Sequence, residues 1–177
     1  METDFIRDYA MYAAIFGIFG FSWFGWAQAN PPKKWPAYLG IASGISFIIG
    51  SIGIFLAIKH WGDASALKAP GMYRTFGVTA GIEFALIGLG VGMLFWLRKS
   101  LYVPSWVAFI LGVHFIPLAM YFQDPGLYVL AAMVTAVSLV APLISKKVGV
   151  SIVTLTGVGV GVSLFIFAVR GLVLSVI

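Results

Sequence analysis

The sequence predicts an all-α fold: a polytopic membrane helix bundle with six transmembrane helices, forming a single transmembrane domain over residues 1–177. Hydrophobic residues make up 61% of the chain and charged residues only 10%, whereas soluble domains average about 25% charged residues. The apolar residues lie in long unbroken runs, near the ~20 residues that a helix needs to cross a bilayer. Composition and run length therefore predict a multi-pass protein of the cell membrane, with the lipid bilayer as its main partner.

Charged or proline-rich interruptions separate the apolar runs. The sequence NPPKK at 30–34 ends the first run, RKS at 98–100 the third, DPG at 124–126 the fourth and SKK at 145–147 the fifth; residues of this kind mark turns and loops. Only the connection 59–75 is long, and it has room for a short interfacial helix. The other connections are short, so consecutive helices are predicted to pack as antiparallel neighbours. The predicted spans are 9–29, 37–58, 76–97, 102–122, 127–144 and 149–176.

Basic residues are divided unequally between the two ends of the predicted bundle. Because lysine and arginine collect in cytoplasmic loops, the end with more of them is predicted to face the cytoplasm, and both termini to lie on the outer side. Four basic residues lie at the end that carries the termini: Arg7, Lys59, Lys68 and Arg74. Six lie at the opposite end, after helices one, three and five: Lys33, Lys34, Arg98, Lys99, Lys146 and Lys147.

Glu83, His114 and Arg170 are the ionisable residues that interrupt the apolar runs. Because a charged side chain in hydrocarbon is costly, such residues usually face a protein interior or a watery cavity. At 1.5 Å per residue, Glu83 and Arg170 lie about 10 Å, and His114 about 13 Å, from the helix ends nearest the termini. The three are therefore predicted to share one layer in the outer half of the membrane, on helices three, four and six.

This layer predicts a site that binds a small or anionic ligand or relays a proton. Arg170 stays charged, so Glu83 is its expected counter-ion, and His114, which titrates near neutrality, would extend the pair. Pro117 removes the helical bond to the carbonyl of Val113 and is predicted to kink helix four beside the site. Alternatively, the Glu83–Arg170 pair only locks two helices together, or Arg170 extends to the outer interface and leaves Glu83 and His114.

Residues 112–119, GVHFIPLA, match the pattern G-x-H-F-x-P-x-A. In this motif the chain resembles uncharacterised small bacterial six-helix integral membrane proteins, and the similarity extends to overall length and helix number. The resemblance implies a bacterial membrane location and a functional interest in His114. It implies no particular activity.

Many of the 21 glycines fall at four-residue spacing, which lets helix backbones approach closely. These faces are predicted mainly to pack the bundle, and they are also candidates for a homo-oligomer interface. The pairs are Gly40/Gly44, Gly77/Gly81, Gly88/Gly92 and Gly157/Gly161.

Other patterns add one weak site and several exclusions. Lys33 and Lys34, beside Trp35, are candidates for contacts with anionic lipid head groups, although they also serve as an ordinary orientation signal. The chain has no cysteine and two histidines, so neither a metal site nor a cofactor is predicted. The dispersed basic residues do not predict nucleic-acid binding. No nucleophile or metal cluster indicates an enzyme, which the sequence therefore does not favour.

Two functions remain open. The first is a small transporter or channel-like protein, which predicts a cavity that opens toward the outer face and is lined by Glu83, His114 and Arg170. The second is a non-transporting lipid-binding, regulatory or assembly subunit in which the buried charges are structural. It predicts a closed bundle in which these charges are paired.

Overall fold

The computed structural model describes residues 5–177, and most of them are α-helical, with no strand in this range. Six helices are long and apolar enough to cross a membrane, so the predicted all-α, six-helix membrane fold is confirmed. Single 3-10 turns, Ala66–Lys68 and Ser100–Tyr102, lie in two of the connections. The helices are α1 (Ile6–Ala27), α2 (Trp35–Lys59), α3 (Met72–Trp96), α4 (Val103–Tyr121), α5 (Gly126–Val148) and α6 (Ile152–Leu174).

The predicted boundaries differ most at the start of α3 and at the end of α5. α3 begins at Met72, four residues before the predicted start at 76. It directly follows Gly71, whose φ is 80°. α5 continues through its two lysines and ends at Val148, directly before Gly149, whose φ is 67°. Lysine ends an apolar run but is a good helix former, whereas a left-handed glycine is a common helix terminator.

The helices alternate in direction, so the connections 28–34, 97–102 and 149–151 lie at one end of the bundle. We call this the basic end, because all six basic residues predicted to face the cytoplasm lie in these connections or in the last turn of α5. The segments 28–34, 97–102 and 145–151 contain no acidic residue. The opposite end carries the termini and is called the terminal end.

Glycines bring α1 and α2 into backbone contact. A Cβ added at Gly53 would collide with the backbone of Ala13 and Ala14, and one added at Gly17 would collide with the backbone of Gly50. Close backbone approach is a main source of helix association in lipid, where no hydrophobic effect operates between helices. The α1–α2 pair therefore depends on glycine at these positions.

α6 packs along the length of α1 in the same way. Gly171 lies against Tyr9 and Ala13 near the terminal end, and Gly157 lies against Ala27 near the basic end. The Thr154 hydroxyl donates to the carbonyl of Ala27 at 3.0 Å. Sequence-distant helices thus form one of the closest interfaces in the bundle.

The core lies where α4, α5 and α6 meet α1. Leu127 and Leu130 of α5 and Leu164 of α6 are almost fully buried there. Phe115 of α4 packs edge-on against Phe16 of α1, with ring centroids 5.6 Å apart. The interior at this level is filled by apolar and aromatic side chains.

α3 lies at the periphery of the bundle, against α4. Of its 25 residues only Gly90 is buried, and it faces the Trp106 ring. Of the predicted glycine pairs, only Gly157/Gly161 packs against another helix of the chain. A Cβ would meet no atom within 4 Å at the other six glycines: Gly40, Gly44, Gly77, Gly81, Gly88 and Gly92.

The long connection before α3 is fixed to the start of α1. The Asp8 carboxylate accepts a 2.8 Å hydrogen bond from the backbone N–H of Ala66. Arg7 donates to the carbonyl of Trp61 and to the hydroxyl of Tyr73, each at 3.3 Å. Both Arg7 and Asp8 are buried, so the connection is held by polar contacts although α3 itself is exposed.

Candidate functional site

Glu83 of α3 and His114 of α4 face each other across the interface between the two helices. The Glu83 Oε2 atom lies 3.3 Å from the His114 Nδ1 atom. Only 12% of the Glu83 side chain and 9% of the His114 side chain are exposed. Two of the three residues predicted to share one layer are therefore in contact.

Further polar contacts lie above and below this pair. Toward the terminal end, the Thr79 and Tyr121 hydroxyls are 2.9 Å apart. Toward the basic end, the Trp106 indole N–H donates to the carbonyl of Leu86 at 3.2 Å. We call this row of contacts the polar seam; it consists of Thr79, Glu83 and Leu86 of α3 with Tyr121, His114 and Trp106 of α4. Along the seam, α3 packs against α4.

Arg170 does not pair with Glu83, and this expectation is wrong. The Arg170 guanidinium forms two hydrogen bonds with the Asp124 carboxylate, at 2.6 and 2.9 Å. The flat guanidinium matches both carboxylate oxygens, and such bidentate pairs are the strongest of their kind. Asp124 lies in the α4–α5 connection at the terminal end, so Arg170 extends outward along its long side chain. This is the alternative in which Arg170 leaves Glu83 and His114.

The turn after α4 holds Asp124 in place for Arg170. Gln123 has a positive φ of 52°, and the Asp124 N–H bonds the carbonyl of Ala119 at 3.1 Å, as in a Schellman helix ending. The Asp124 carboxylate also accepts from the Gly126 N–H at 2.9 Å. Only 5% of the Asp124 side chain is exposed, so its charge is compensated by Arg170 and the backbone.

The three predicted site residues therefore fall into two separate pairs. Roughly 10 Å of helix axis separates His114 from Tyr121, where α4 ends, and Asp124 lies beyond that end. Aromatic rings fill this level: Phe122 packs edge-on against Tyr12, with ring centroids 5.4 Å apart. The prediction that Glu83, His114 and Arg170 share one layer is therefore wrong for the Arg170 guanidinium, which lies at Asp124.

Pro117 lies inside α4, which continues to Tyr121. Val113, whose carbonyl has no helical donor because residue 117 is a proline, is 43% exposed on the outside of the bundle. The kink at Pro117 stays a prediction.

The surface formed by residues 5–177 includes two grooves that none of the three predicted residues lines. One, of about 320 Å³, is an apolar groove between α1 and α2 beside Trp61. The other, of about 620 Å³, lies between the end of α3, the start of α4 and α5. Lys33 and Lys34 are exposed and line neither groove, so their contact with lipid head groups stays a prediction.

Asp124 is the main residue of these polar contacts that sequence reasoning missed. In the sequence it belongs to the DPG turn, the short connection at the same end of the bundle as the end of α6 that carries Arg170. Within residues 5–177, no three His, Cys, Asp or Glu side chains come together as a metal site would require.

Comparison with known proteins finds no family model, no curated protein and no solved structure that matches the chain. The resemblance of residues 112–119 to bacterial six-helix membrane proteins therefore stays a prediction.

Proposed function

We propose that the protein is a non-transporting membrane subunit with an assembly or regulatory role, in which the buried charges hold helices together. The observation that carries this proposal is the pairing of the intramembrane ionisable groups. Glu83 contacts His114 and Arg170 contacts Asp124, so each of these charged side chains has a partner within the protein. The filled core between the two pairs supports the same function.

In this proposal α3 is the helix that is presented for assembly. Taking 100° per residue, Gly81, Gly88 and Gly92 lie within about 40° of the direction opposite Glu83. The seam therefore attaches one side of α3 to α4 and leaves a side of small residues facing the bilayer. Small residues at this spacing let a second helix approach closely, and we propose a second copy of this chain as that helix.

Substitution of Glu83 distinguishes a structural seam from a transport site. We expect Glu83→Gln to lower the free energy of unfolding by about 1–2 kcal/mol, because it removes a charge-assisted contact. Proteoliposomes loaded with a pH-sensitive dye should show no proton flux above that of empty vesicles, for the wild type and the variant alike. The matched control is Asp63→Asn, which weakens the exposed His60–Asp63 pair and should change stability by less than about 0.5 kcal/mol.

Proton or ion transport is the second candidate function. It is favoured by one observation, a carboxylate and an imidazole in contact at membrane depth, because such groups often form proton relays. If proteoliposomes with the wild-type protein show proton flux, and a stably folded Glu83→Gln variant does not, the protein is a transporter and the assembly proposal is wrong.

Self-association through α3 is tested by adding bulk to its small-residue side. We expect Gly81→Leu with Gly88→Leu to weaken the dimer at least tenfold, measured as energy transfer between labelled copies in liposomes at several protein-to-lipid ratios. Gly62→Leu, in the connection before α3 where a Cβ also meets no atom within 4 Å, is the control. Equal energy transfer in all three proteins, or none in the wild type, would exclude this interface.

A further inference from the structure

The larger groove has an apolar part and a polar mouth. It lies between the end of α3, the start of α4 and the second half of α5, and its volume of about 620 Å³ is within the range of ligand sites, roughly 300–1,000 Å³. From Tyr102 to Phe109 it follows α4 for about 10 Å. Leu139 and Pro142 of α5 form the facing wall.

The free polar groups of the groove are concentrated at its mouth. Inside, the Ser105 hydroxyl is bonded to Thr156 at 3.0 Å, and the Ser138 hydroxyl donates to the Thr135 carbonyl at 2.7 Å. At the mouth, the Lys99 amine and the Tyr102 hydroxyl have no hydrogen-bond or ion-pair partner within residues 5–177. A ligand would therefore meet a cation and a hydroxyl donor at one end and hydrocarbon along the rest.

A helix ending positions Lys99 at the mouth. Arg98 has a positive φ of 55°, and the Lys99 N–H bonds the carbonyl of Leu94 at 2.8 Å, so the chain turns sharply there. Lys146 lies one turn after Pro142 on the same side of α5 and is exposed. It supplies a second cation beside the mouth.

The charge of this end of the bundle indicates which kind of ligand fits the groove. The basic end has six basic residues and no acidic residue in its connecting segments, which favours an anion. The groove is flanked by exposed apolar side chains, including Leu139, which is 56% exposed, so it opens to the hydrocarbon of the bilayer. An anionic head joined to an apolar chain fits both parts.

We propose that this groove binds one anionic phospholipid of the surrounding bilayer. Its phosphate lies against Lys99 and Lys146 with the Tyr102 hydroxyl as a further donor, and an acyl chain lies along Phe109 and Leu139. This site is independent of the proposed assembly role of α3. It is also distinct from Lys33 and Lys34, which line neither of the two grooves described above.

The test uses the full-length protein in detergent and the fluorescence of Trp106, which lines the groove. The probe is phosphatidylglycerol with brominated acyl chains, which quench tryptophan on contact, and phosphatidylcholine with the same chains is the neutral comparison. We expect phosphatidylglycerol to quench at lower concentration. Trp106→Phe should remove most of that difference while the far-ultraviolet circular dichroism stays helical.

Charge removal identifies the head-group contacts. Lys99→Gln with Lys146→Gln should raise the half-quenching concentration about 25-fold, at about fivefold per lysine. The matched control, Lys33→Gln with Lys34→Gln, removes the same charge from the same end and should change it less than twofold. Leu139→Asp places a charge on the exposed wall of the groove and should weaken binding without unfolding the protein.

Four results would overturn the proposal. An equal loss in the Lys33/Lys34 control would mean general attraction to a basic surface, and equal quenching by the two lipids would mean that no anionic head group is recognised. Displacement of the lipid by millimolar inorganic phosphate would indicate a soluble anion instead. Quenching that falls as protein concentration rises would indicate that a second copy covers the groove.

Discussion

Gly53→Val is expected to disrupt the α1–α2 pair and to lower the free energy of unfolding by at least about 3 kcal/mol. Overpacking usually costs about 1–3 kcal/mol when side chains can move. Here the first added carbon meets the backbone of Ala13 and Ala14, and backbone atoms within a helix cannot move without separating the two helices. The measurement is unfolding of the purified protein in increasing SDS, followed by circular dichroism.

Gly44→Val is the matched control for this prediction. It lies in the same helix, and its added carbon would meet no atom within 4 Å, so we expect a change within about 0.5 kcal/mol. Similar losses in the two variants would mean that the effect comes from the helix propensity of valine. The close packing of α1 and α2 would then not be the cause.

Removing the arginine of the Arg170–Asp124 pair should have the next largest effect. Arg170→Leu leaves the Asp124 carboxylate, only 5% exposed, without its partner, and breaking a buried pair from one side costs about 3–5 kcal/mol. Because 32% of the Arg170 side chain is exposed, we expect a loss near the lower limit, about 3 kcal/mol. The free energy of unfolding in SDS measures it.

A double-mutant cycle separates this pair from general damage. Asp124→Asn added to Arg170→Leu should destabilise the protein less than the sum of the two single changes, since the second change removes the unpaired charge. Arg74→Leu, an exposed arginine of the same end, should have little effect. Strict additivity of Arg170→Leu and Asp124→Asn would show that the two side chains are not coupled.

The sequence was sufficient for the helices because charges and prolines interrupt the apolar runs regularly. It was insufficient for the arrangement of those helices around each other. α3 and α6 are both apolar and glycine-rich, yet α3 is exposed and α6 packs tightly against α1. In lipid, an exposed face and a buried face are both apolar, so the periodicity that identifies a buried face in water is lost.

Of the candidate site, the sequence predicted the contact between Glu83 and His114 but not the partner of Arg170. Glu83 and His114 lie inside apolar runs, where position along the helix determines depth, and they do meet. The predicted spans place Glu83 and Arg170 equally far from their helix ends, but in the structure Glu83 lies eleven residues after the start of α3 and Arg170 only four residues before the end of α6. The long side chain of Arg170 can therefore reach a partner beyond the helix end. Arg170 pairs with Asp124 because the turn at Gln123 places the Asp124 carboxylate beside it. Composition and spacing do not indicate the geometry of this turn.

The packing of α6 along α1 sets a condition on how the protein is made. α1 leaves the ribosome first among the six helices, but the glycines that fit against it at 157 and 171 are synthesised only after the other five. Until then, α1 has to remain in the bilayer with that side open to lipid or to the insertion machinery. A chain halted after α5 should therefore be inserted but incompletely folded, and the arrival of α6 should be the step that protects α1 from proteolysis.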